Sequence, residues 1–472
     1  MAGPKVLRIG LLTPITTLDP KVAYLEGSLI LRQMLEPVYD IVPGAEGLVP
    51  VLFQGPLERL TAGSAPIYRA AIRPGVFFSD GVALTAAHVA GCLGSATMVK
   101  GQATVAADGD YVVFHLKRPV GRFEAMLSHT QCYVRRHAPD LVGTGPFMRP
   151  RPGTATELRL VKNPRYRQPV ALDEVVFKVY PLDAAGRPTA LLEALQRGEV
   201  DATSVLPRDE ANRVSGVRKT ILPSASTALL FFNVESPRLA DVRLRRALAL
   251  SVDRQEFAAD AYANALAFKA PSLLPRSLAV AEDGLDYDPA RARALLAAAG
   301  LKAPARLSVV LTWAPRPYLP DPERAFEILS RQLGVLGIAL DAVRTSTVEE
   351  YYDRIIEGQQ DLTLAGWVAD TPDPCDFLES CLASDRVPTR LNVSASLNNA
   401  RIRNPALDQA LAEYRADSSP ARLEAVMAQL RELVPLVPLM YGSTCMASSF
   451  RVSNLKASPN GIFDLSTVDL TG

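Results

Sequence analysis

The residues in this chain best suited to chemistry are one arginine and one aspartate, each just past a stretch that reads as a strand. Arg316 lies in LTWAPRPYLP and Asp370 in AGWVADTPDP, 54 positions apart. A guanidinium is a planar fork that holds a carboxylate through two parallel hydrogen bonds. A carboxylate accepts from an ammonium group. Facing one cleft, the two would grip both ends of a zwitterion such as a short peptide, roughly 7 Å long for two extended residues. The plainer reading is a surface ion pair, between them or with neighbours, worth about 0–1 kcal/mol. Nearby, Trp367 and Tyr318 carry rings with a polar handle that suit a pocket wall. Packing under the sheet edge accounts for both equally well, and for Trp313 better. Asn233, ending another apolar strand, can bond ligand backbone, although a turn role suits it better.

Both charges depend on the strands that carry them. RLSVVLTW precedes Arg316 and DLTLAGW precedes Asp370, and both are rich in strand formers. Between them the pattern predicts two helices and a strand. Asp321-Pro322 caps the first helix, with Phe326, Leu329, Leu333 and Leu336 at helical spacing and Gly337 as the stop. IALDAV is the strand and VEEYYDRIIEG the second helix. Asp288-Pro289 caps a further helix that ends at Gly300. Such alternation predicts a parallel sheet covered by helices. Ligands bind outside the carboxyl ends of the strands in sheets of this kind.

Upstream, VLRIGLL reads as a buried strand, and a strand-rich region follows with IYRAAIRPGVFFSDG and YVVFHLKRP. LTAAHVAGCL between them reads as a helix capped by Thr85. After GTGPF come strands at ELRLVKN and ALDEVVFKVYP, then a helix in PTALLEALQRGEVDAT and a strongly apolar strand at TALLFFNV. A crossing between lobes is expected immediately after that strand.

At 472 residues the chain exceeds one ordinary core, so two or more domains are expected. Hydrophobic content of 48% with 21% charged residues describes a folded globular chain. Lys+Arg at 51 nearly cancels Asp+Glu at 50, with no basic run to suggest nucleic acid as a partner. No GxSxG, HExxH or P-loop occurs, so hydrolase and nucleotidase readings lack a motif. His129, Cys132, His137 and Asp140 fit no zinc spacing, so no metal site is expected. Asp373-Pro374 reads as a helix start rather than as part of a carboxylate pair with Asp376. Five cysteines cannot all pair; Cys375 and Cys381 can bridge in an oxidising compartment, but free thiols suit the set better. The first residues show no apolar leader pattern. That predicts either a cytoplasmic protein or a leader trimmed before this numbering begins.

Across Leu7 to Leu470, ordered landmarks resemble the large peptide-binding (family 5) solute-binding proteins of ABC transporters. They are TTLDP, FFSDGVALTAAHV, GTGPF, ALDEVVFKVYP with ALQRGEVDA, ADVRLRRALALSVDR, YDPARARALLAAAGL, GWVADTPDPCDFL, IRNPALDQALAEYRA and VPLVPLMYG. Each is weak alone; nine in order are specific. RPY followed by GW and an aspartate is most similar to the dipeptide-binding branch. The resemblance implies that Arg316 holds a peptide carboxylate and Asp370 the α-ammonium. It implies an α/β, two-lobed periplasmic-binding-protein-like fold of the large type II form, with hinge-linked lobes and a strand-rich subdomain inserted in the first. The expected boundaries are 1–36, 141–232 and 441–472 for lobe I, 37–140 for the insert, and 233–440 for lobe II. It also implies a non-enzymatic, monomeric importer component outside the cytoplasm, needing no cofactor. Its partners would be a short peptide or related small molecule and the permease subunits. Three features depart from the family pattern: the missing leader, a short stretch from Cys92 to Gly109, and the absence of the branch's cysteines between Ser384 and Asn399. The missing leader leaves a cytoplasmic ligand sensor or interaction protein on the same fold as the alternative.

Overall fold

The computed structural model describes residues 3–21, 26–41, 47–61, 63–138, 140–183, 187–206, 213–261, 268–276, 278, 282, 285–300, 302, 305–312, 316, 318–319, 321–369, 371–393, 396–458 and 461–471. It divides into two compact units, Met1–Leu222 with Thr444–Gly472, and Pro223–Ser443.

In the first unit, strand β1 (Val6–Leu11) forms where apolar residues run almost unbroken, as a strand covered on both faces requires. Helix α1 (Glu26–Met34) follows. Further on, helix α2 (Ala86–Ser95) packs with strands β2 (Ile67–Ala71), β3 (Ala103–Asp108) and β4 (Tyr111–Leu116). Thr85 caps α2 by accepting from the His88 N–H, and the His88 ring accepts in return from the Thr85 N–H. Residues between Val38 and Val142 close a hydrophobic core of their own around Phe53, Phe78 and Phe114. Strands β5 (Glu157–Lys162), β6 (Glu174–Val179) and β7 (Ala202–Leu206), with helix α3 (Thr189–Gln196) between β6 and β7, complete the first pass. The order is β5-β6-β1-β7, with β1 parallel to β6 and β7, and β5 antiparallel to β6. The GTGPF landmark has a steric reason. A Cβ on Gly145 would come within 2.6 Å of the Gln33 carbonyl oxygen, so only glycine lets this backbone lie against the end of α1.

Strand β8 (Val217–Phe232) runs 16 residues, twice the apolar stretch TALLFFNV. The division between units falls inside it, at 222/223, ahead of the expected 232/233. The first half of β8, VRKTILPS, lacks the unbroken apolar run that marks a buried strand, so its pattern does not show where the strand starts.

In the second unit, helix α4 (Pro289–Ala298) carries Asp288 as N-cap and Pro289 at its first position. Strand β9 (Arg306–Leu311), helix α5 (Pro322–Leu333), strand β10 (Ala339–Val343), helix α6 (Val348–Glu357) and strand β11 (Leu362–Val368) follow as the alternation predicts. Asp321 caps α5 and Thr347 caps α6. Gly337 and Gly358 take left-handed conformations at the ends of these helical segments. Helix α7 (Pro374–Leu382), helices α8 (Pro405–Asp417) and α9 (Pro420–Leu433), and strand β12 (Leu436–Ser449) complete the chain's second pass. The sheet order here is β8-β11-β9-β10, with β9 parallel to both β10 and β11 and β8 antiparallel to β11. One core, around Phe232, Phe257 and Leu329, is flanked by another around Phe377, Leu378 and Tyr414. Beyond Ser443, β12 pairs antiparallel with β7 in the first unit, Ala202 facing Ser448. No helix among the described residues is long and apolar enough to cross a membrane.

Candidate functional site

The site is built on two adjacent parallel strands of the second unit. β9 and β11 pair in register, Val309 with Leu362, Val310 with Thr363 and Leu311 with Leu364. Both therefore point their carboxyl ends the same way, as the alternation of elements predicts. β9 ends at Leu311, level with Leu364, while β11 runs on to Val368.

Arg316 leaves the end of β9 on a tight turn. Its N–H donates to the Leu319 carbonyl and the Leu319 N–H donates back, both at 2.9 Å. Leu319 is fully buried in the core of this unit, so it anchors the turn from below. Arg316 is half-buried. Tyr318, on the same turn, lays its ring against Gly366 of β11. Burial pushes the Tyr318 hydroxyl up to about 12, against the opposing pull of the nearby Arg316 charge. Burial also pushes the Tyr351 hydroxyl far up; Tyr351 stands within the field of Tyr318 and Arg316. Its ring lies 5.9 Å from that of Tyr352. The Arg316 charge thus acts on two buried tyrosines, Tyr318 and Tyr351.

Asp370 lies outside the described residues, as does Trp313. The backbone on either side of position 370 is held. The Ala369 N–H donates to the Ala225 carbonyl at 2.7 Å. The Thr371 N–H donates to Asp376 Oδ2 at 3.0 Å, and the Trp367 indole Nε1–H donates to Asp376 Oδ1 at 3.0 Å. Trp367 is half-buried, with its polar handle already engaged. Asp373 caps α7 by accepting from the Cys375 N–H at 3.0 Å, with Pro374 at the first helical position. The helix-start reading of Asp373-Pro374 matches this geometry.

Asn233 has a different task. It is 1% exposed, and its amide donates to the carbonyls of Gly358 at 2.9 Å and Gln360 at 2.7 Å. Its Oδ1 accepts from the Glu235 N–H at 3.0 Å. Both amide hydrogens are spent on the turn that leads into β11, as the turn role expected for this residue requires. Cys375 and Cys381 are buried and form no disulfide, like the other three cysteines. Six positions apart on α7, they are separated by about 9 Å of helical rise, too far to bridge. His129 accepts from the Gln131 N–H through Nδ1, a local turn bond.

Sequence reasoning missed two members of this neighbourhood. Gly366 was visible only as part of GW, and Asp376 as a carboxylate-pair candidate set aside for a helix start. The signal for each is a three-dimensional neighbour, Tyr318 in one case and Trp367 in the other.

The turn that carries Arg316 follows β9, which lies parallel to β11 with their carboxyl ends at one sheet edge, where ligands bind in α/β sheets of this kind. Residues 64–388, well over half the chain, match the bacterial extracellular solute-binding proteins, family 5 Middle. The chain belongs to this family. Among curated relatives, the probable di/tripeptide-binding protein 5 of Pseudomonas aeruginosa is 28% identical over 340 residues, 69% of this chain and 61% of that one. The match thus spans less than two thirds of that relative's length. Among solved structures, the dipeptide binding protein from Pseudoalteromonas sp. SM9913 in complex with Met-Leu superposes with a TM-score of 0.77 at 20% identity, covering 99% of this chain and 100% of that one. NikZ from Campylobacter jejuni, in complex with Ni(L-His), gives 0.77 at 18% identity, covering 96% of both chains. At such identities the likeness speaks for the fold alone. One fold carries a dipeptide in one case and a nickel complex in the other, so the architecture by itself does not specify the ligand.

Proposed function

We propose that this chain is the substrate-binding component of an ABC importer for short, zwitterionic peptides, acting outside the cytoplasm and delivering its ligand to membrane permease subunits. Arg316 takes the peptide carboxylate and Asp370 the α-ammonium, with the rings of Tyr318 and Trp367 beside them. The observation that carries this reading is the register of β9 with β11, Leu311 level with Leu364, which puts the carboxyl ends of both strands at one sheet edge. Family membership and the di/tripeptide-binding relative support the ligand class. The protein performs no chemistry on the peptide in this reading: two charges fix its termini, and the side chains between are read loosely.

Calorimetric titration of dipeptides into wild type and Asp370→Asn tests it. The variant should bind at least about tenfold more weakly, about 1.4 kcal/mol, while the melting temperature of the unliganded protein changes little. Equal affinities in the two proteins would remove Asp370 from the site.

A further inference from the structure

Two N–H donors converge on one carboxylate beside the proposed ligand loop. The Trp367 indole donates to Oδ1 of Asp376 and the Thr371 backbone to Oδ2, each at 3.0 Å. The donors bracket position 370, three residues before it and one after. Asp376 sits in the first turn of α7, whose buried residues Phe377, Leu378 and Cys381 belong to the hydrophobic core. The carboxylate is therefore mounted on a rigid support.

We infer that Asp376 is a positioning residue: it ties Trp367 of β11 and Thr371 of the next segment to α7, and so fixes the two sides of the proposed ligand loop. This rests on the reading that Asp370 binds the peptide ammonium. The residue type follows from the donors. Both incoming groups are N–H, so both oxygens must accept, which an ionised carboxylate does and a carboxamide cannot. Hydrogen bonds to a charged acceptor are also shorter and stronger than neutral ones. A loop held this way before the ligand arrives loses less conformational freedom on binding.

Asp376→Asn keeps the shape and removes one acceptor. The chain has two tryptophans, Trp313 and Trp367, so a 15N-labelled sample shows at most two indole N–H resonances, and Trp313→Phe assigns them. In Asp376→Asn the Trp367 resonance should move, and dipeptide affinity should fall about tenfold in protein that remains folded by circular dichroism. Trp367→Phe, which deletes one of the two bonds and leaves the carboxylate, should weaken binding less than Asp376→Asn; if Asp376→Asn does not fold, Asp376→Glu, which keeps both oxygens but moves them by one methylene, is titrated in its place and should show the same shift and loss. An unchanged Trp367 resonance with unchanged affinity overturns it, and so does a lowered melting temperature with unchanged affinity. Asp370→Asn is titrated in parallel. Weakened binding there with none in the Asp376 and Trp367 variants rejects the positioning role alone. Wild-type affinity in Asp370→Asn rejects the reading on which the role rests.

Discussion

A Cβ built on Gly366 would lie 2.5 Å from Cδ2 of Tyr318, so the tyrosine ring fills the space that a side chain at this β11 position would take. The turn after β9 is thereby pressed onto the part of β11 that outruns it. The same Cβ would lie 2.5 Å from the Thr227 carbonyl oxygen of β8, so the strand offers no relief on that side. Gly366→Ala must displace Tyr318 and with it the Arg316 turn. A destabilisation of about 1–3 kcal/mol is expected from overpacking of this kind, read as a lower urea midpoint with unchanged slope. Dipeptide affinity should fall as well, because the ring and Arg316 share one short turn.

Arg316→Lys keeps the charge and loses the planar fork. A lysine offers a point charge on a flexible stem, so a carboxylate held by two parallel bonds becomes held by one. Calorimetry should show weaker dipeptide binding with little change in the stability of the unliganded protein. Affinity equal to wild type would mean that Arg316 does not touch the ligand.

Asn233→Ala tests the scaffold role. The substitution strips the Gly358 and Gln360 carbonyls of their donor in a buried turn. A cost of about 1–3 kcal/mol is expected from such unsatisfied groups. Binding by the folded protein should be unchanged, as titration below the melting transition will show. Selective loss of affinity without loss of stability would return Asn233 to the site.

The Tyr318 hydroxyl gives a pH prediction with a definite sign. Its ordinary value is 10.0 and burial raises it to about 12 in the folded protein. Between these values the folded protein keeps a proton that the unfolded chain has lost. Stability from this group is therefore complete below about pH 10 and falls as pH rises through about 12. Tyr318→Phe should lose less stability over that interval than wild type, measured by denaturant titration at a series of alkaline pH values. Identical slopes in the two proteins would show that the ring is not buried as described.

The elements around the site were legible because their signals are local. Asp288-Pro289, Asp321-Pro322 and Asp373-Pro374 each announced a capped helix, and α4, α5 and α7 begin there. The apolar runs before Arg316 and around Trp367 marked β9 and β11, and the alternation of helix and strand implied that the two are parallel. Other features carry no local signal. The amino-terminal half of β8 breaks its apolar residues with Arg218, Lys219, Thr220 and Pro223, so its pattern does not announce a strand. Asn233 ends an apolar strand whether its amide faces a ligand or a turn, and only the carbonyls of Gly358 and Gln360 decide between the two. Gly366 looks like any strand glycine until Tyr318 is placed against it.

The amino-acid sequence alone determined the types of residue available and the order of the elements, because side-chain chemistry, helix caps and apolar periodicity act over a few neighbouring positions. It also placed Arg316 and Asp370 after separate strands. Tertiary structure decided which groups are already engaged: Asp376 by Trp367 and Thr371, Asn233 by its turn, and Gly366 by the tyrosine ring. Those assignments depend on hydrogen bonds and close contacts between residues from 5 to 127 positions apart, which pairing in the folded sheet creates and no local pattern encodes.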